Sequence, residues 1–138
     1  GHIDILVNNA GVGYYGLHEE LNPEKIKTLV RTNLEAPMIL TQQLLRHLKK
    51  NKGYVINISS VTAQEANPRG CAYGATKAGL ASFSRSLFAE TRKYGVKVVT
   101  VYPDMTRTIS IEMRISGKGK RRRAICFLRR LRMRWNMP

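Results

Sequence analysis

Apolar residues follow two different spacings along this chain. Short runs rich in Ile, Leu and Val occupy residues 3–8, 54–59 and 96–102, which is typical of parallel strands buried on both faces. Between these runs, apolar residues recur every three or four positions over about residues 22–50 and 72–93, as in helices that bury one side. Strands that alternate with helices predict an α/β fold with a parallel sheet and right-handed crossovers.

The first helix has a predicted start and a predicted interruption. Asn22 is a favourable N-cap, and Pro23 suits the first helical position. Pro37 follows Asn33 by four residues and has no N–H, so the carbonyl of Asn33 loses its regular helical partner. We therefore expect a kink there and a carbonyl that can accept a hydrogen bond from water.

The second helix carries a phenol and an ammonium group. Tyr73 and Lys77 lie four residues apart and therefore on one helix face. A nearby cation favours the ionised form of a phenol, and such a pair suits proton exchange with a carbonyl or alcohol. Without other motifs an ordinary surface pair would be the simpler interpretation. Ser60, directly after the second strand, adds a candidate hydrogen-bond donor, with Ser59 as the alternative one residue earlier.

Several ordered motifs resemble the short-chain dehydrogenase/reductase family over residues 1–108. They are IDILVNNAG at residues 3–11, YVINISS at 54–60, YGATK at 73–77 and VVTVYPDMTRT at 98–108. The resemblance implies the later strands of a doubly wound, Rossmann-like parallel sheet. It also implies an oxidoreductase that uses NAD or NADP to interconvert a small-molecule carbonyl and a secondary alcohol.

The resemblance implies four catalytic residues. Tyr73 would exchange the proton with the substrate oxygen, and Lys77 would hold the nicotinamide ribose and favour the ionised phenol. Ser60 would donate a hydrogen bond to the developing oxyanion, where such donors matter most. Asn33 would organise a water that links Lys77 to solvent.

Further residues would contact the cofactor besides Tyr73 and Lys77. Asn9, Ala10 and Gly11 would lie beside its adenosine half, and Asp4 near its adenine. Thr108 would bind the nicotinamide carboxamide, although Asp104 replaces the glycine that family members usually have after Pro103.

The glycine motif at residues 11–16, GVGYYG, matches the G-x-G-x-x-G pattern of dinucleotide-binding turns. That turn should open a helix directly, whereas here Leu17 to Leu21 precede a new N-cap at Asn22. We therefore expect these glycines in turns near the mouth of the active site. The family's own phosphate-binding turn and its first three strands are absent from the sequence. We expect an internal fragment that binds cofactor poorly, turns over little and exposes the strand at residues 3–8 as an edge.

The positive charge is concentrated in the last part of the chain. Residues 1–113 contain 14 Lys or Arg against 9 Asp or Glu, whereas residues 114–138 contain 10 Lys or Arg and no acid. We expect residues 109–138 to be a basic tail of uncertain structure that does not match the family. Such a tail could result from out-of-frame translation. A short strand at residues 126–128 is the less favoured alternative. Through this tail the chain could instead be a nucleic-acid or membrane-surface binding protein, which we rank below the enzyme, or a fragment without function.

Cysteine and histidine placement adds little chemistry. Cys71 and Cys126 are far apart with no C-x-x-C pattern, so neither a disulfide framework nor a zinc site is indicated, and a cytoplasmic protein is expected. The three histidines have no metal-ligand spacing, so no metal site is expected, and no apolar run is long enough to span a bilayer. Homo-oligomers are common in the family through the helices after Asn22 and Gly70, and the resemblance extends that expectation to this chain.

Overall fold

The computed structural model describes residues 2–103 and, as a single strand, residues 124–126. The main elements are β1 (Ile5–Asn8), α1 (Pro23–Val30), α2 (Ala36–Asn51), β2 (Tyr54–Ile58), α3 (Cys71–Thr91), β3 (Lys97–Val101) and β4 (Ala124–Cys126). The predicted α/β alternation is therefore confirmed, with boundaries that differ by three residues at most. No helix in the described part of the chain is long and apolar enough to cross a membrane.

The sheet is parallel throughout, in the order β3-β2-β1-β4. The register places Ile5 beside Tyr54 and Tyr54 beside Lys97. The three main strands therefore begin together along one side of the sheet and end together along the opposite side. Because both crossovers advance in the same direction along the sheet, right-handed connections put α1, α2 and α3 on the same face.

Two apolar clusters lie on the two faces of the sheet, because successive strand residues point to opposite sides. The cluster under the helices consists of Leu6, Leu48, Val55, Leu87 and Val96, all buried. On the opposite face, the buried residues Ile5, Val7, Ile56 and Ile58 form the second cluster. Consecutive residues of β1 and β2 are therefore buried on both faces of the sheet, which explains why these strands are rich in Ile, Leu and Val.

The predicted start of the first helix is confirmed. The side chain of Asn22 accepts a hydrogen bond of 2.8 Å from the backbone N–H of Glu24, and so satisfies one of the unpaired donors of the first turn. At the end of α2 the chain turns through Lys52 in the left-handed region, at φ 50°. The following Gly53 packs so closely on the backbone carbonyl of Asp4 and on Leu48 that a Cβ would have no room.

The predicted interruption lies at Pro37. Between α1 and α2 the residues Arg31–Glu35 form a π-helical turn, in which the N–H of Ala36 bonds to the carbonyl of Arg31, five residues earlier. A π turn is a common way to accommodate a broken α-helical ladder, so the regular α-helical hydrogen bonding is interrupted around Asn33. The water expected at the carbonyl of Asn33 remains a prediction.

Strand β4 corrects two expectations about the last part of the chain. The strand lies at residues 124–126 rather than 126–128, and its Ala124, Ile125 and Cys126 are in register with Ile5, Leu6 and Val7 of β1. The edge of β1 is therefore paired over three residues rather than exposed, which satisfies backbone groups that would otherwise be open to other chains. The other residues expected in the basic tail lie outside the described residues.

Candidate active site

The predicted catalytic residues meet where the three main strands end. Asn9, Ala10 and Gly11 follow β1, Ser59 and Ser60 follow β2, and α3 brings in Tyr73 and Lys77 from its first turns. The carboxyl ends of parallel strands share one edge of the sheet, which is where α/β folds of this kind bind ligands. We call this the carboxyl edge, and the side where the strands begin the amino edge.

Lys77 is a buried cation at the carboxyl edge. Its residue surface is 5% exposed, and Nζ donates a hydrogen bond of 2.9 Å to the carbonyl of Ile58 at the end of β2. Burial lowers the pKa of this amine from 10.5 to about 8, because removal from water disfavours the charged form. Nζ also lies 5.8 Å from the centre of the Tyr73 ring, within the range of a cation–π contact.

The backbone after β1 comes close to this amine. A Cβ built on Gly11 would lie 3.4 Å from Nζ of Lys77 and 3.5 Å from Oδ1 of Asn33. Gly11, Asn33 and Lys77 therefore pack against one another at the carboxyl edge, and their cofactor and relay roles remain predictions.

The two serines after β2 point in different directions. The hydroxyl of Ser59 donates a hydrogen bond of 2.9 Å to the backbone carbonyl of Lys77, which fixes α3 to the end of the strand. Ser60 instead accepts hydrogen bonds from the N–H and the hydroxyl of Thr62, at 3.2 and 3.0 Å. Because Ser60 accepts both of these bonds, its own proton is available to a ligand. The geometry therefore suits Ser60, and not the alternative Ser59, as the donor at the reaction centre.

The turn after Ser60 rests against the first turns of α3. A Cβ on Gly74 would lie 3.1 Å from the carbonyl of Thr62, so glycine permits this close approach. Tyr73, the preceding residue, is half-buried beside the same turn. This contact brings the loop that carries Ser60 to the helix that carries the phenol.

Asn33 holds three parts of the site together. Its side chain accepts a hydrogen bond of 2.9 Å from the N–H of Val12 and donates one of 2.9 Å to the carbonyl of the same residue. It also lies 3.2 Å from the hydroxyl of Thr76, which donates to the carbonyl of Tyr73 at 2.7 Å. Asn33 is fully buried, so its amide links the π turn, the loop after β1 and α3.

A second set of buried amides joins the strand ends from below. Nδ2 of Asn8 donates to Oδ1 of Asn57 at 2.7 Å, and Nδ2 of Asn57 donates to the hydroxyl of Ser84 on α3 at 2.8 Å. Hydrogen-bonded polar groups in a buried network stiffen their surroundings. β1, β2 and α3 are thus tied to one another directly beneath the site.

Asn9 provides the test of whether a polar ligand fits this edge. Its side chain is buried, and neither its Oδ1 nor its Nδ2 has a hydrogen-bond partner among the residues that the structure describes. An unpartnered buried amide is unfavourable by about 1–3 kcal/mol per lost bond, and a ligand with hydroxyl groups would supply both a donor and an acceptor. The unpartnered amide of Asn9 beside Gly11 is compatible with their predicted place at the adenosine half of a dinucleotide, and the amine of Lys77 is compatible with binding a ribose hydroxyl.

Asp4 lies away from this group, and its predicted place near the adenine remains a prediction. It precedes β1 at the amino edge, where its carboxylate pairs with His2 at 2.9 Å and its carbonyl accepts from Tyr54 at 2.7 Å. At about 3.3 Å per residue, Asp4 and Asn8 lie roughly 13 Å apart, and Asn9 lies further on. Thr108 lies outside the described residues.

Residues that sequence reasoning missed complete the site. Thr76 bridges Asn33 and Tyr73, Thr62 supports Ser60, and Tyr15 packs against Tyr73 with ring centres 5.4 Å apart. Thr76 stands directly before Lys77 in the YGATK motif, and this position in the motif is the sequence signal that indicates it. The structure shows that Thr76 is buried. Tyr15 lies in the glycine-rich loop that was expected near the mouth of the active site.

Known proteins share both sequence and fold with this chain. The family model described as "short chain dehydrogenase" matches residues 1–117, nine residues beyond Thr108, where the expected catalytic segment ended. An uncharacterized oxidoreductase of Thermotoga maritima is 36% identical over 118 residues, which cover 85% of this chain and 47% of that protein. The chain thus spans about half the length of this curated relative.

Solved structures show the same fold with nicotinamide cofactors bound. A 3-ketoacyl-(acyl-carrier-protein) reductase from Brucella melitensis, complexed with NADH, matches with a TM-score of 0.73 and 31% identity over 75% of this chain and 46% of that one. A metagenomic short-chain oxidoreductase in complex with NADP matches with a TM-score of 0.71 and 37% identity over 75% and 48%. The matched sequence and the Rossmann-like sheet establish that the chain belongs to the short-chain dehydrogenase family.

Proposed function

We propose that this chain carries the catalytic half of an NAD- or NADP-dependent oxidoreductase that interconverts a carbonyl and a secondary alcohol. The observation that carries the proposal is the buried amine of Lys77 beside the half-buried phenol of Tyr73 at the carboxyl edge. A buried cation within reach of a phenol is an arrangement for moving a proton, and membership of the family supplies the reaction class.

In the direction of reduction, Tyr73 donates its proton to the substrate oxygen as charge develops there. Nζ of Lys77 lies 5.8 Å from the centre of the Tyr73 ring and places a positive charge beside the group that loses the proton. The available proton of Ser60 hydrogen-bonds to the same oxygen, which stabilises the transition state more than the ground state. The nicotinamide cofactor, when bound, supplies the hydride.

Asn33, Thr76 and Ser59 act as positioning residues. Asn33 and Thr76 connect the loop after β1 to the backbone at Tyr73, and Ser59 fixes the backbone at Lys77. A displacement of about 1 Å of a reacting group can reduce the rate about a hundredfold. These hydrogen bonds therefore matter although none of the three side chains carries the transferred proton.

We propose further that cofactor binding by this chain alone is weak. The glycine-rich loop at residues 11–16 leads into a single 3₁₀ turn, His18–Glu20, rather than a helix. It therefore does not present the helix N-terminus that holds a pyrophosphate. Contacts at the ribose would have to provide most of the affinity.

The test is oxidation of NADPH and of NADH by the purified chain with a panel of ketones, at nucleotide concentrations high enough for weak binding. We expect slow turnover that falls at least about a hundredfold in Tyr73→Phe, the effect of losing a general acid. Tyr94→Phe is the matched control, because Tyr94 is an exposed tyrosine in the short helix before β3, at the amino edge. Equal rates in the two variants would overturn the catalytic role of Tyr73.

A further inference from the structure

The loop between β1 and α1 is fixed against the approach to α3. The N–H of Gly16 donates a hydrogen bond of 2.8 Å to the carbonyl of Arg69. Gly16 has a φ of +156°, and Arg69 adopts a φ of 85°, a region that residues with a side chain rarely occupy. The surrounding structure must hold Arg69 in this conformation, so the loop has a defined position over the first turn of α3.

This position places Tyr15 against the catalytic phenol. The two rings lie 5.4 Å apart at 52° to each other, and the two hydroxyl groups share a hydrogen bond. A Cβ on Gly13 would come within 2.9 Å of the Tyr15 ring, so glycine leaves the space that the ring occupies. Tyr15 is nonetheless 46% exposed, which leaves one part of it accessible to a molecule entering the site.

The electrostatic state of Tyr15 is compatible with this contact. Burial, the charge of an ionised Tyr73 and the hydrogen bond between the two together raise the pKa of Tyr15 to about 12. Tyr15 therefore remains a neutral phenol under working conditions, able to donate a hydrogen bond while Tyr73 gains or loses its proton.

We propose that Tyr15 is a substrate-positioning and specificity-determining residue. Its hydroxyl is hydrogen-bonded to the hydroxyl of Tyr73 until the substrate oxygen replaces it. The ring of Tyr15 then forms one wall of the site, against which a flat, apolar substituent packs. The proposal rests on the proposed function. The substrate oxygen must bind the hydroxyl of Tyr73, so it competes with the hydroxyl of Tyr15 for the same partner. Once that bond has been exchanged, the aromatic face of Tyr15 remains beside the reacting carbon, where an aryl group stacks better than a flexible alkyl chain.

The test compares kcat/KM for acetophenone with that for 2-octanone, which has the same number of carbon atoms. We expect Tyr15→Ala to lower the preference for the aryl ketone by about three- to tenfold, the range of one aromatic contact, mainly through KM. Tyr15→Phe keeps the wall and removes the competing hydroxyl, so we expect an unchanged preference and a lower KM for both ketones. Tyr14→Ala is the matched control in the same loop, because its ring faces Lys25 instead, at 5.4 Å.

A chemical readout tests the same contact without turnover. Acetylation of Tyr73 by N-acetylimidazole, located by mass spectrometry, should be faster in Tyr15→Ala than in wild type or Tyr14→Ala. Equal acetylation rates in wild type and Tyr15→Ala, or an unchanged preference for the aryl ketone in Tyr15→Ala, would overturn the role of Tyr15. Either result would leave the proposed function intact. If the wild type turns over no carbonyl substrate at all, the proposed function fails, and the specificity role fails with it.

Discussion

Replacement of Lys77 by methionine should change how the stability of the protein depends on pH. The pKa of this amine is about 8 in the folded protein against 10.5 in its ordinary state. Below about pH 8 the amine is charged in both the folded and the unfolded chain, and the folded state bears the unfavourable burial of that charge. Between these two values the folded protein has released the proton while the unfolded chain still holds it, so the free energy of unfolding rises with pH.

The expected rise follows from the two pKa values. From about pH 7 to about pH 10 this single amine contributes about 2–3 kcal/mol, because each tenfold difference in proton affinity corresponds to roughly 1.4 kcal/mol. Methionine fills a similar space and does not titrate, so Lys77→Met should lose this rise and keep any other pH dependence. Loss of the hydrogen bond to Ile58 lowers the stability of the variant at every pH and does not affect the slope.

Urea unfolding at a series of pH values measures this difference directly. The free energy of unfolding of the wild type should rise by about 2–3 kcal/mol relative to that of Lys77→Met between about pH 7 and about pH 10. Lys27→Met is the matched control, because Lys27 is an exposed lysine paired with Glu24 on α1. If wild type and Lys77→Met change in parallel with pH, the amine is not buried as described, and the reasoning about its site is wrong.

Four further substitutions test the geometry of the site and its support. Ser60→Ala should lower turnover about a hundredfold, as expected for loss of an oxyanion donor, while Ser59→Ala should mainly reduce stability, by about 1 kcal/mol. Measurements of kcat and of urea unfolding for both variants separate the two roles. If kcat falls more in Ser59→Ala than in Ser60→Ala, the roles of the two serines are reversed. Asn22→Ala should destabilise the protein by about 1 kcal/mol through loss of the helix cap, without changing KM, and an unchanged unfolding midpoint would contradict the cap. Gly53→Ala should lower stability by about 1–3 kcal/mol because the added methyl group meets the carbonyl of Asp4, and an unchanged melting temperature would show that the turn can shift.

Hydrophobic spacing predicted most of the fold. Three apolar runs became β1, β2 and β3, and the cap at Asn22 and the break at Pro37 lie where local chemistry placed them. These features depend on short-range backbone constraints, which a sequence displays directly. The sequence predicts strand β4 two residues too late and does not indicate which strand it pairs with. The reason is that its pairing with β1 joins residues that are far apart in the chain.

The candidate site was predicted best where a helix fixed the spacing. Tyr73 and Lys77 share a face of α3 for that reason alone. Asp4 and Asn9 belong to one motif, but the extended strand β1 separates them, so the motif alone does not place both at one site. The choice between Ser59 and Ser60 depended on which way each side chain leaves the strand end, and the position of Tyr15 depends on a backbone bond between Gly16 and Arg69.

In the proposed function, nucleotide and substrate meet at the carboxyl edge of the sheet. Titration of the isotopically labelled chain with NADPH, followed by amide NMR spectra, tests this directly even when binding is weak. We predict that the changes in amide resonances concentrate at the carboxyl edge, at Asn9, Gly11 and Lys77, and are lost in Lys77→Met. Changes confined to Asp4 and Gly53 at the amino edge, or no changes at saturating nucleotide, would contradict the account.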